Sequence, residues 1–147
     1  MIGIIGAMPE EIQEIKSQIQ HVEIINHHPR TFFKGMIHNQ EVVLVLAGIG
    51  KTNAAITTSL LIELFDITAI VNIGVAGGQN GAKHNDVIVS TSVLYHDVDV
   101  SKFGKYVPGQ VPGHDPEFIA DNHLVELSVQ VLEQQHIPYK KGRIASG

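Results

Sequence analysis

Met1-Ile2-Gly3-Ile4-Ile5-Gly6-Ala7-Met8-Pro9-Glu10-Glu11 opens the chain and decides its fold class. The apolar run over residues 1–6, ending in glycine, reads as a fully buried strand. Pro9 suits the first turn of a helix, where its missing N–H costs nothing. Ile12, Ile15 and Ile19 follow at helical spacing and predict a helix over about 9–19. Buried strand, glycine turn, helix is the repeating unit of an α/β protein.

The unit recurs downstream. Glu41 to Leu46 is an apolar strand, Ala47-Gly48-Ile49-Gly50 a glycine turn, and Lys51 to Phe65 a helix with Ala54, Ala55, Leu60, Leu61 and Leu64 on its apolar side. Thr68 to Ile73 is a strongly apolar strand closed by Gly74-Val75-Ala76-Gly77-Gly78. Strands are also predicted at 22–25, 31–37, 86–94 and 139–146, and a third helix at 123–135. His28-Pro29-Arg30 reads as a turn, and His38-Asn39-Gln40 makes a hairpin of the strands around it. Residues 95–120 hold most of the prolines in one long irregular segment, the kind that is usually functional or interfacial. The prediction is one domain over 1–147: a mixed, mostly parallel twisted sheet flanked by helices. Ligands in such sheets bind beyond the carboxyl ends of strands, which marks residues 6–11, 47–51 and 74–78 as candidate rims.

Composition narrows the function. The chain has 147 residues, 44% hydrophobic and 17% charged, with 14 glycines and a net charge of -5. A nucleic-acid partner calls for a basic face, so that class is excluded. There are no cysteines, which removes disulfides and thiolate-bound metals. No apolar run reaches membrane-spanning length and the start lacks the form of a signal peptide, so the expected location is the cytoplasm, with no membrane partner.

The candidate chemistry lies on the rims. Glu10 and Glu11 sit in the first turn of a helix, where free N–H groups and the helix dipole stabilise a carboxylate. Both acids can serve the dipole alone, or one can point into a cleft and handle a proton or a water. Gly50-Lys51-Thr52 imitates the end of a phosphate loop, but Val45 stands where that motif needs glycine. The glycines at 74–78 let backbone approach a flat ligand, although no dinucleotide fingerprint is present. Tyr95-His96-Asp97-Val98-Asp99-Val100 carries potential ligands without a convergent second set, so no metal is expected. His27, His28, His114 and His136 are expected at the surface.

Taken together these stretches resemble the methylthioadenosine/adenosylhomocysteine nucleosidases of the nucleoside phosphorylase superfamily. The resemblance rests on the opening signature through Glu11, on Ala47-Gly48-Ile49-Gly50-Lys51, on Val71-Asn72-Ile73-Gly74-Val75-Ala76-Gly77-Gly78, and on Tyr95 to Val100 with Phe103-Gly104 and Gly109-Gln110-Val111-Pro112-Gly113. It covers the chain in order and implies a nucleoside phosphorylase-like fold whose C-terminal third is missing. The implied activity is hydrolysis of the N-glycosidic bond of 5'-methylthioadenosine and S-adenosylhomocysteine, releasing adenine, with no cofactor. Glu11 matches the glutamate that activates water. Met8 matches a residue beside the ribose, with Ala7 next to it also expected to bind substrate, and Ile49 matches a wall for the 5'-alkylthio group. Val75, Ala76 and Gly77 match the stretch next to the ribose and purine. Val100, Phe103 and Pro112 match residues that close the neighbouring subunit's pocket, implying a homodimer.

Two departures accompany the resemblance. The family continues past Gly147, and that continuation carries the acid that protonates adenine, so weak or absent turnover is expected of these residues alone. Val75 replaces the family's usual serine, and Lys105-Tyr106-Val107-Pro108 differs from its usual aromatic-acidic stretch. Two alternatives follow: a non-catalytic nucleoside-binding or dimerisation remnant, and a phosphate-dependent purine nucleoside phosphorylase. The acidic Glu10-Glu11 pair favours water over phosphate as the acceptor.

Overall fold

The computed structural model describes residues 1–79 and 81–147. By internal packing they form two compact units, Met1–Val75 and Ala76–Gly147. The first unit contains β1 (Ile2–Gly6), α1 (Pro9–Gln18), β2 (Gln20–His27), β3 (Arg30–Ile37), β4 (Gln40–Leu46), α2 (Lys51–Leu64) and β5 (Ala69–Asn72). Its five strands lie in the order β2-β3-β4-β1-β5. β1 is parallel to both neighbours, with Ile4 opposite Leu44 on one side and Val71 on the other. The β2-β3-β4 meander is antiparallel, Phe32 facing Val45. The mixed sheet and its hairpin agree with the sequence pattern.

Strand periodicity builds two cores from one sheet. Successive side chains point to opposite faces. On one face Ile5, Phe32, Val43 and Val45 pack with Leu61 of α2; on the other Ile4, Val42 and Leu44 pack with Ile12 and Ile19, which belong to or follow α1. This explains why residues 42–45 read as an unbroken apolar run: with helices on both faces, alternation has no solvent side.

α2 departs from expectation. Its buried residues are Thr57 and Leu61, whereas Ala54 and Ala55 are exposed and Leu64 is 39% exposed. The apolar stripe read from sequence is wider than the strip that this unit covers. A buried threonine in its centre is polar, and its partner belongs to the candidate site.

The second unit contains β6 (Val87–Tyr95), a 3-10 turn at Ser101–Phe103, β7 (Phe118–Ile119), α3 (Asn122–Gln134) and β8 (Tyr139–Ser146). β6 pairs with β8 in parallel and with β7 antiparallel. Thus the segment expected to be irregular contributes one short strand. Ser92 is buried and donates to Glu117 at 2.6 Å, and Arg143 donates to the same carboxylate at 2.7 Å. These bonds, Ser92 first and Arg143 second, hold the Glu117 pKa below its ordinary value. α3 has no buried residue, and Leu127 and Val131 stand nearly half exposed.

Leu61→Ala should cost about 3 kcal/mol in denaturant unfolding, as expected where a fully buried leucine is truncated. Its neighbour Ile62 is 57% exposed, and Ile62→Ala should change stability by no more than about 0.5 kcal/mol. Equal losses would contradict the burial of α2's inner face.

Candidate active site

The site is built where β1 and β5 end. Gly6 closes β1 and Met8 begins α1 with extended backbone, so the chain turns sharply from strand to helix. Pro9 and Glu10 occupy the first two helical positions, and Glu11 the third. That position lets a glutamate reach back to the free N–H groups ahead of the helix. Glu11 does so: its Oε2 accepts from the Ala7 N–H at 2.7 Å and from the Met8 N–H at 2.9 Å. Oε1 accepts from the Val75 N–H at 3.0 Å, 64 residues along the chain. Glu10 is exposed. The two acids therefore divide the roles that sequence left open: Glu10 faces water and complements the dipole, while Glu11 bridges two strand ends.

Gly74 makes the bridge possible. A Cβ added there would lie 2.8 Å from Glu11 Oε1, inside van der Waals contact. The Ile73 N–H donates to the Ile5 carbonyl at 3.0 Å, which continues the β1–β5 pairing to the rim and brings Val75 to the carboxylate. The bond from position 75 comes from backbone, so it survives the presence of valine. The Val75 side chain itself is 78% exposed.

Burial acts first on Glu11 and raises its pKa, but the N–H bonds from Val75, Met8 and Ala7 together outweigh it and hold the pKa below the ordinary value. Hydrogen bonds to the charged form are the cause. The group is ionised at neutral pH. A carboxylate has about four acceptor sites. Oε2 uses two and Oε1 one, so Oε1 retains a lone pair for a water or a hydroxyl.

The second rim is the Ala47–Gly50 turn. The Ala47 N–H donates to the Gly6 carbonyl at 2.8 Å, tying this turn to the end of β1. Gly48 and Gly50 take φ of +81° and +101°, values that favour glycine. The turn presents Ile49 to solvent, 73% exposed. Below it, the Asn53 amide donates to the Ile49 carbonyl at 2.8 Å, Arg30 Nη2 donates to the Asn53 carbonyl oxygen at 2.8 Å, and Arg30 Nε donates to the Thr57 hydroxyl at 2.6 Å. This explains the buried Thr57. Arg30, Asn53 and Thr57 escaped the sequence reading, although the spacing of Asn53 and Thr57, four apart and so on one face of the helix, was a usable signal.

Ala7 and Met8 are half-buried beside Glu11, and Ala76 and Gly77 are exposed in the stretch directly after Val75. The structure thus gathers Ala7, Met8, Glu11 and Val75 at one rim and joins it to the Ile49 turn. In the second unit Phe103 is 85% exposed, Pro112 is exposed and Val100 half-buried. No group of three or more potential metal ligands occurs among the described residues. Among them too, no helix is long and apolar enough to cross a membrane.

Comparison with known proteins fits this geometry. A 5'-methylthioadenosine/S-adenosylhomocysteine nucleosidase of Staphylococcus carnosus is 49% identical over 148 residues, covering 100% of this chain and 64% of that protein. The crystal structure of the Neisseria meningitidis enzyme of that name, in complex with methylthio-immucillin-A, superposes with a TM-score of 0.94 at 34% identity, covering 99% of this chain and 64% of that one. The nucleosidase of Colwellia psychrerythraea, in complex with adenine, gives a TM-score of 0.94 at 38% identity, covering 99% and 61%. The chain therefore spans a little under two thirds of the length of these relatives. Residues 1–147, the whole chain, match the phosphorylase superfamily profile, and the chain belongs to that superfamily.

Proposed function

We propose that this chain forms the sugar-and-water side of a site that hydrolyses the N-glycosidic bond of 5'-methylthioadenosine and S-adenosylhomocysteine. The observation that carries the reading is the Glu11 carboxylate, held ionised by three backbone N–H groups with an acceptor site to spare. The relatives named above support the substrate class.

The chemistry follows from charge. As the C1'–N9 bond stretches, positive charge builds on the ribose and negative charge on adenine. A fixed carboxylate beside the sugar stabilises the first charge. The attacking water forms the new bond to C1' and becomes strongly acidic as it does so. Even a glutamate of lowered basicity then takes its proton. The products are adenine and the thioribose. The departing base must be protonated at its own end, which an ionised Glu11 cannot do. That step belongs to an acid near the purine.

Met8 borders the ribose in this reading, Ile49 forms a wall for the 5'-alkylthio group, Val75 stands near the ribose and the water, and Ala76 and Gly77 run beside the purine. Val100, Phe103 and Pro112 serve the partner's pocket in a homodimer; an aromatic ring left as open as Phe103 supports that use. The uninterrupted superfamily match supports one domain over 1–147, and a cytoplasmic location suits a salvage enzyme of this kind.

Glu11→Gln keeps the shape and loses the charge, and adenine release from methylthioadenosine by the product of the complete reading frame should fall by about 10²–10⁴. Full turnover in that variant would refute the role. Release should be indifferent to added phosphate; strict phosphate dependence would make the protein a phosphorylase. Binding of the nucleoside without any release would identify a non-catalytic remnant.

The acid limb of the rate profile should lie below the ordinary glutamate range, because the folded pKa is depressed. The stability that Glu11 contributes runs the same way: it is present above the unfolded pKa and lost as pH falls through the folded one. Activity that declines while pH is still above the ordinary glutamate value would contradict this assignment.

A further inference from the structure

Beside the Ile49 turn lies a cavity of about 490 Å³, walled by α1, the start of β3 and the end of β4. No acidic side chain lines it, and two cations do: Lys16 from α1 and Arg30 from β3. Both are held in place. Lys16 Nζ stands 3.9 Å from the centroid of the Phe33 ring, a cation–π contact. Arg30 is fixed by Thr57 through Nε and by Asn53 through Nη2. Its Nη1 edge has no protein acceptor among the described residues and remains free to donate. A guanidinium immobilised in this way loses little entropy when it takes up a planar anion.

The position of the cavity decides what that anion is. Its wall includes Pro9 and Gly48, which adjoin in sequence Met8 and Ile49. Those two residues flank the ribose and the 5'-alkylthio group in the function proposed above, on which this inference rests. The cavity walled by Pro9 and Gly48 also holds Arg30, so a 5'-substituent passing between Met8 and Ile49 into it would meet that guanidinium. The two thionucleosides differ there. Methylthioadenosine ends in a neutral methyl group, whereas S-adenosylhomocysteine continues into an amino-acid tail that ends in a carboxylate.

We infer that the Arg30–Lys16 cavity is a subsite for the carboxylate of the substrate's 5' amino-acid tail, with Arg30 donating through its Nη1 edge and Lys16 contributing a second charge. The tail's ammonium is left to water. The arrangement makes Arg30 a specificity determinant: it adds affinity for a carboxylate-bearing 5'-substituent and offers nothing to a methyl group.

The test compares kcat and KM for the two nucleosides in the unaltered protein, in Arg30→Gln and in Lys16→Gln. The ratio of kcat/KM for S-adenosylhomocysteine to that for methylthioadenosine should fall about tenfold in Arg30→Gln, mainly through KM, as expected for loss of a charge-assisted hydrogen bond. Lys16→Gln, which removes no internal hydrogen bond described here, should shift the ratio in the same direction by a smaller factor. Raising salt should lower the ratio in the unaltered protein. An unchanged ratio in both variants would overturn the subsite while leaving the nucleosidase reading intact. So would an equal loss for both substrates, which would mean that Arg30 acts only by holding Asn53 and the turn. Stimulation of turnover by inorganic phosphate that is lost in Arg30→Gln would assign the cavity to phosphate and overturn the subsite. Failure of the unaltered protein to bind or cleave either nucleoside would sink the subsite together with the function on which it rests.

Discussion

The candidate site depends on one carboxylate gripped by backbone. Glu11 collects N–H groups from the β1–α1 turn and from the stretch after β5, reinforcing the backbone pairing that already joins the two strand ends. The grip does two jobs with one set of bonds. It ties the third residue after β5 to the first two after β1, and it holds the acid charged. Because the donors are main-chain groups, their positions are set by strand pairing and not by side-chain rotamers. The parallel register of β1 with β5 is therefore part of the electrostatics of the site.

Much of this was legible in the sequence, for physical reasons that differ from element to element. The opening stretch combined an apolar run, glycine, proline and a periodic isoleucine set, and only strand–turn–helix satisfies all of these. β8 was readable over its full length, Tyr139–Ser146. That one of the Glu10-Glu11 pair faces inward was one of two readings of the residues, and the family resemblance pointed to Glu11; helix geometry gives the reason, since the third helical position reaches back to the turn. The sequence did not reveal the two-residue strand β7, which exists only through pairing with β6. Nor did it reveal how little of α2's apolar stripe is covered.

Arg30, Asn53 and Thr57 were missed for a different reason. Each is unremarkable alone, and their link spans 27 residues between a strand start and a helix middle. Such networks form when a backbone turn needs support from below: the Asn53 amide holds the Ile49 carbonyl, and Arg30 holds Asn53. The consequence is a rim of mixed charge, with the Glu11 carboxylate at the end of β1 and the Arg30 and Lys16 cations in the cavity beside the Ile49 turn.

The account stands or falls on the charge state of Glu11. Carbon-13 NMR of glutamate side-chain carboxyls, titrated with pH and assigned through the Glu11→Gln variant, reads it directly. The account predicts a Glu11 midpoint below the ordinary glutamate value. A midpoint at or above that value would show that burial outweighs the backbone N–H groups, and the fixed anion at the rim would have to be abandoned.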